Sequence, residues 1–133
     1  MSRDINTPDG AKSLSDQVVL VIEDEPLIAM LLVDCLKDQG AQVIGPASTI
    51  QGALDAIESS IRIDGALLDI NLNGEVAYPV ADLLVTRGIP FVFVTGYRED
   101  DIPDRYKAIK RCEKPKGPEA CVDILLSLWP PET

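Results

Sequence analysis

The chain has 133 residues with 46% hydrophobic content, enough to bury one compact core without disulfide or metal staples. Twelve basic residues against 22 acidic ones give a net charge of -10, which repels phosphate backbones and argues against nucleic-acid binding. Histidine is absent, which excludes histidine-based metal sites, a Ser-His-Asp triad and a phosphohistidine carrier. Cys35, Cys112 and Cys121 are odd in number and set in apolar context, so they read as small buried residues of a cytosolic protein rather than as a disulfide framework. With no signal-like N-terminus and no 18-residue apolar run, the expectation is a soluble cytoplasmic protein with no membrane association.

Residues 1-16 are polar and aperiodic, and are expected to form a disordered leader. From Gln17 the chain alternates. Val18 to Ile22 is a β-branched apolar run, a strand buried on both faces, and it ends on Glu23-Asp24-Glu25. Pro26 suits the first turn of helix one, which runs from Leu27 to Asp38 and stops at Gly40. Gln42 to Gly45 is strand two, and Ser48 with Gln51 has capping-box spacing ahead of helix two. Strand three, Gly65-Ala66-Leu67-Leu68-Asp69, is a nearly uninterrupted apolar run that closes on a carboxylate. Helix three covers Ala77 to Thr86, with Pro79 either in its first turn or bending it. Ile89 to Thr95 is strand four. Only twelve residues separate Gly96 from Lys107, about the minimum for a crossover, and Pro103 with four acids leaves room for one or two helical turns. Ala108 to Glu113 is a weak fifth strand ending on Lys114-Pro115, and Glu119 to Trp129 is the last helix.

This alternation predicts an α/β doubly wound five-stranded parallel sheet of order 2-1-3-4-5, a flavodoxin-like fold with a short or degenerate fourth helix. The domain is expected to span residues 17-129, with 130-133 as a tail. In that order the carboxyl ends of strands one and three are neighbours, so Glu23, Asp24 and Asp69 converge, flanked by Thr95 and Lys114. Carboxylates so close repel by roughly 4 kcal/mol per pair at 4 Å and an effective dielectric near 20. Such a cluster calls for a cation or protons, and oxygen ligands without nitrogen or sulfur suit Mg²⁺. A carboxylate there can also act as a nucleophile toward phosphorus.

The acid pair Glu23-Asp24, the strand Leu67-Leu68-Asp69, Thr95 and Lys114-Pro115 together resemble the receiver domain of two-component response regulators, over residues 17-129. The segment Pro90 to Tyr97 further resembles the FATGUY subgroup of single-domain bacterial receivers. The resemblance implies phosphotransfer from a sensor histidine kinase or phosphotransfer protein to Asp69, as part of a phosphorelay. It implies Mg²⁺ held by Asp24 and Asp69, by Glu23 through water, and by the backbone carbonyl of Asn71. It also implies a cis Lys114-Pro115 bond. One position departs from the family pattern: Arg111 stands where most receivers carry an aromatic switch residue, and Tyr97 is the nearest aromatic replacement.

Helix one and the last helix, the fifth in this count, carry more apolar residues than one buried stripe requires. They are expected to share a sheet face, which suggests a homodimer or a partner site there. Two other readings compete with the phosphorylated switch. A Mg²⁺-dependent aspartyl-nucleophile phosphohydrolase resembles a D-x-D pattern, but Asn71 occupies the second acid's place. A phosphorylation-independent interaction module of the same fold is the other.

Overall fold

The computed structural model describes residues 14-96, 102-113 and 117-128. Strand β1 (Val18–Ile22) and the strand β2 (Gln42–Ala47) beside it flank helix α1 (Pro26–Asp38) in sequence. Helix α2 (Ile50–Ser59) leads to β3 (Gly65–Asp69), then to a short antiparallel pair, β4 (Asn71–Leu72) and β5 (Glu75–Val76). Helix α3 (Tyr78–Thr86), strand β6 (Phe91–Thr95), a single 3₁₀ turn at Asp104–Tyr106, strand β7 (Arg111–Glu113) and helix α4 (Pro118–Leu126) complete the order. The main sheet has five parallel strands in the order β2-β1-β3-β6-β7, the order expected from the alternation of elements. The thin fourth crossover also agrees, because among the described residues it holds only that 3₁₀ turn. No helix among the described residues is long and apolar enough to cross a membrane.

Every residue of β3 and β6 is buried, which is why these runs are apolar throughout rather than alternating. Successive side chains point to opposite faces. Leu20, Ile22, Leu68 and Phe93 pack beneath α2 and α3, whereas Val19, Val21, Leu67 and Val92 pack beneath α1 and α4. Helices α1 and α4 lie against each other on that second face. Most of the surplus apolar residues of α4 are thereby partly covered, and the exposed remainder, Leu27, Met30 and Leu31, belongs to α1.

Three local expectations need correction. Leu14 is fully buried in the α1/α4 core, and Asp16 N–H donates to Gly40 O at 3.2 Å, so chain assigned to the leader up to residue 16 is part of the fold. One apolar residue in a polar stretch carries no periodicity, so the sequence pattern could not flag it. Helix α2 is capped by Thr49 instead of Ser48: its side-chain oxygen accepts the Gly52 N–H at 3.0 Å. The backbone stays extended through Thr49, so Gln51 lies one position too early for a capping box and donates to Asp55 instead, at 2.8 Å. Strand β2 continues two residues past Gly45, through a cis Gly45-Pro46 bond. Gly45 has φ +99°, and a Cβ there would lie 2.7 Å from Val21 O and 2.8 Å from Ala47 N, so only glycine fits against β1. Beyond β3, Asn73 and Gly74 both have positive φ, 54° and 85°, and turn β4 back onto β5 in a hairpin. Pro79 sits in the first turn of α3 and leaves the rest of that helix regular.

In the described part of the fourth crossover, Tyr106 packs against the sheet. It is 1% exposed, stacks on Tyr78 at 4.9 Å between ring centroids, and meets Phe93 edge-on at 5.7 Å. Its hydroxyl donates to Asp82 and lies 3.3 Å from Tyr78 O, and the Arg105 guanidinium lies 4.5 Å above its ring. Burial, and then the Asp82 hydrogen bond, push the Tyr106 hydroxyl up to about 12 from 10. A raised tyrosine pKa means the folded state prefers the neutral form. The associated stability is complete below pH 10 and is lost as pH climbs from 10 toward 12. Tyr106→Phe should lower stability by about 1 kcal/mol at neutral pH in urea unfolding and shrink the loss across this alkaline window. An alkaline limb identical to that of the wild type would contradict this assignment.

Candidate functional site

Parallel pairing brings the carboxyl ends of β1, β3 and β6 to one edge of the sheet. Ile22 stands opposite Leu68, and Asp69 opposite Val94, so the residues following Ile22, Leu68 and Val94 share one rim. They are Glu23, Asp69 and Thr95, and they are only 2%, 4% and 1% exposed. Apart from Tyr106 and two cysteines, no other residue with a polar side chain among those described is as deeply buried. Open parallel sheets bind ligands at this edge, in the crevice where the chain direction switches, here between β1 and β3.

Glu23, Asp24, Glu25 and Asp69 each place a carboxylate oxygen within 4.8 Å of the others. Backbone amides hold three of them. The Glu25 N–H donates to Glu23 Oε2 at 3.1 Å, the Asn71 N–H to Asp69 Oδ1 at 3.0 Å, and the Asn73 N–H to Asp24 Oδ2 at 2.9 Å. Partial burial pushes the Asp24 carboxyl up, but the Asn73 amide and the hydrogen bonds shared with Glu23 and Asp69 outweigh it, so Asp24 lies below the usual carboxylate range. It therefore stays ionised at neutral pH. An all-oxygen donor set this compact fits a hard divalent cation such as Mg²⁺, which accepts carboxylate ligands and keeps several waters. Beside the acids opens a cavity of ≈ 450 Å³, with Ala29, Met30 and Val33 of α1 on one side and Pro46 on the other.

The site residues expected from sequence divide into three groups. Glu23, Asp24 and Asp69 come together, and Thr95 ends the adjacent strand. Asn71 is exposed, two residues beyond Asp69, with its N–H on the Asp69 carboxylate. Arg111 is half-buried on β7 opposite Phe93. Lys114, Tyr97 and the Lys114-Pro115 bond lie outside the described residues, although Glu113, immediately before Lys114, pairs with Thr95.

Three further residues escaped the sequence reading. Glu25 joins the acidic cluster, and its signal was present as the third member of the Glu23-Asp24-Glu25 run. Asn73 donates from its backbone to Asp24 and from its side chain to Ser48 O at 3.0 Å, tying the hairpin to the site. An Asn-Gly pair signals the turn, but nothing in the sequence says what the turn will touch. Tyr106 has no local signal at all, since its place is set by Phe93 and Tyr78, far from it in the chain.

Similarity to known proteins points the same way. Residues 19–112 match the family model described as the response regulator receiver domain. Over 101 residues the chain is 39% identical to the phyllosphere-induced regulator PhyR of Methylorubrum extorquens, covering 73% of this chain but only 38% of that protein. It thus spans about two fifths of that relative's length. The solution structure of SdrG from Sphingomonas melonis Fr1 superposes with a TM-score of 0.69 at 40% identity, covering 86% of this chain and 98% of SdrG. The BeF3-activated conformation of SdrG from Pseudomonas melonis Fr1 gives 0.70 at 38% identity, covering 85% and 95%. With its sheet order, its rim of buried acids and a family match over most of its length, the chain belongs to the response regulator receiver domain family.

Proposed function

We propose that this receiver takes a phosphoryl group onto Asp69 from a sensor histidine kinase or phosphotransfer protein and passes the signal on through protein-protein contacts. One observation carries the reading: Asp69 is a buried carboxylate at the centre of a four-acid, all-oxygen cluster. In the transfer, an Asp69 carboxylate oxygen forms a bond to phosphorus as the donor's N–P bond breaks, and the electron pair returns to the imidazole nitrogen. The Asn71 amide orients Asp69 by donating to its Oδ1 at 3.0 Å. Glu23, Asp24, Asp69 and the Asn71 backbone carbonyl are the proposed Mg²⁺ ligands, Glu23 through water. Bound Mg²⁺ would offset the repulsion of the cluster and of the incoming phosphoryl oxygens. Thr95 and Lys114 are assigned to those oxygens, the first as a hydroxyl donor and the second as a point charge. Tyr97 and Arg111 are the proposed reporters of phosphorylation. The activated form of SdrG, solved with a BeF3 group that mimics a phosphoryl, supports a switch of this kind.

The reading makes the protein a cytoplasmic bacterial phosphoprotein rather than a turnover enzyme. Asn71, in place of a second acid after Asp69, supports it over the phosphohydrolase. The passive module remains the outcome to be tested against. Incubation with Mg²⁺ and acetyl phosphate should add about 80 Da by intact mass, lost in Asp69→Asn. An unmodified wild type would favour the passive module, and sustained hydrolysis of phosphate esters the phosphohydrolase.

Mg²⁺ binding only the folded state should raise stability by about 2.7 kcal/mol at 100 times its dissociation constant. Thermal unfolding with and without Mg²⁺ reads this directly, and Asp24→Asn should abolish most of the difference. An equal response in the variant would remove Asp24 from the metal site.

Leu27, Met30 and Leu31 leave an apolar patch on α1 beside the acidic rim, 64%, 53% and 41% exposed. We propose it as the partner-facing surface, used for a homodimer through α1 and α4 or for the phosphodonor. Light scattering of the wild type should report a dimer that Met30→Lys dissociates. A wild type monomeric at high concentration would eliminate the homodimer.

A further inference from the structure

Away from the acidic cluster, two cysteines meet in the core. Cys112 lies on β7, opposite Val94 in the sheet register, and Cys121 lies on α4, which covers that end of the sheet. They are 1% and 3% exposed, and the Cys121 thiol donates to the Cys112 sulfur across 2.7 Å. Packing has already placed the two sulfurs in direct contact, as a disulfide requires. All three cysteines are free thiols, and Cys35 of α1 is half-buried nearby.

We propose that Cys112 and Cys121 are a disulfide site, closed within the folded chain by hydrogen peroxide. The sulfur oxidised first takes one oxygen of the peroxide. The O–O bond breaks, and the other oxygen leaves as water with the proton lost from sulfur, which gives a sulfenic acid. The neighbouring sulfur then attacks the sulfenyl sulfur. The S–O bond breaks, and the departing hydroxide leaves as a second water with the second thiol proton. Two electrons pass from the thiols to the peroxide, and two waters are the only other products. Because the partner sulfur is in place beforehand, ring closure outruns further oxidation of the sulfenic acid. Burial, and then the hydrogen bond with Cys112, push the Cys121 thiol far above its ordinary value, so the first step is slow. The product is a cross-link between β7 and α4, closing a short ring whose ends are nine positions apart.

The test exposes the folded full-length chain to hydrogen peroxide, then counts thiols after denaturation and maps tryptic peptides. Free thiols should fall from the three in the sequence to one, the mass should drop by about 2 Da, and cleavage after Lys116 should yield one peptide containing Cys112 linked to one containing Cys121. Cys35→Ser should form the same link, dithiothreitol should reverse it, and the oxidised wild type should unfold at a temperature no lower than the reduced form. Retention of all three thiols overturns the proposal. So does a link through Cys35, irreversible oxidation of Cys112 or Cys121 without a link, or a lowered unfolding temperature. The peptide map of the wild type decides the matter even if Cys121→Ser fails to fold.

Discussion

Four carboxylates are crowded within 4.8 Å of one another, and the surrounding fold can be understood as what holds them there. At such separations each ionised pair repels by roughly 4 kcal/mol at an effective dielectric near 20. Two rigid strands impose the approach. β1 and β3 are paired in register up to Ile22 and Leu68, and both are buried on both faces, so neither can recede from the other without opening the sheet. Backbone N–H groups from residues 25, 71 and 73 offset part of the repulsion. The remainder is what the proposed Mg²⁺ would relieve.

The two layers around the sheet divide the work. On one side α1 and α4 bury Val19, Val21, Leu67 and Val92, and the packing of α4 on β7 brings Cys112 and Cys121 together. On the other, α2 and α3 cover Leu20, Leu68 and Phe93, and among the described residues the fourth crossover holds only a 3₁₀ turn. Tyr106 adds a large buried ring, an aromatic stack and a hydroxyl satisfied by Asp82. An aromatic thus sits behind β6 after all, contributed by the crossover, while Arg111 occupies β7 opposite Phe93.

Much of this was legible because burial on both faces leaves a plain mark. Strands β1, β3 and β6 are short apolar runs, their order follows from right-handed crossovers, and the acids and the threonine stand where those runs stop. Leu14 shows the limit of the method, as a buried residue with no periodic neighbours to announce it. Thr49 shows another, since Ser48 and Thr49 are chemically equivalent caps and only the residue at which the backbone turns helical selects between them.

The sequence by itself determined the alternation of strands and helices, the sheet order and the convergence of Glu23, Asp24 and Asp69, because these depend on local apolar patterning and on chain connectivity. Only the tertiary structure decided that Asn73 donates to Asp24 across 49 positions, that Glu25 joins the cluster, that Tyr106 lies beneath Phe93, and that two cysteines touch. Those contacts depend on how far each element slides and turns against its neighbour. Such adjustments of an ångström or two are set by the packing of the whole core and leave no periodic trace in the chain.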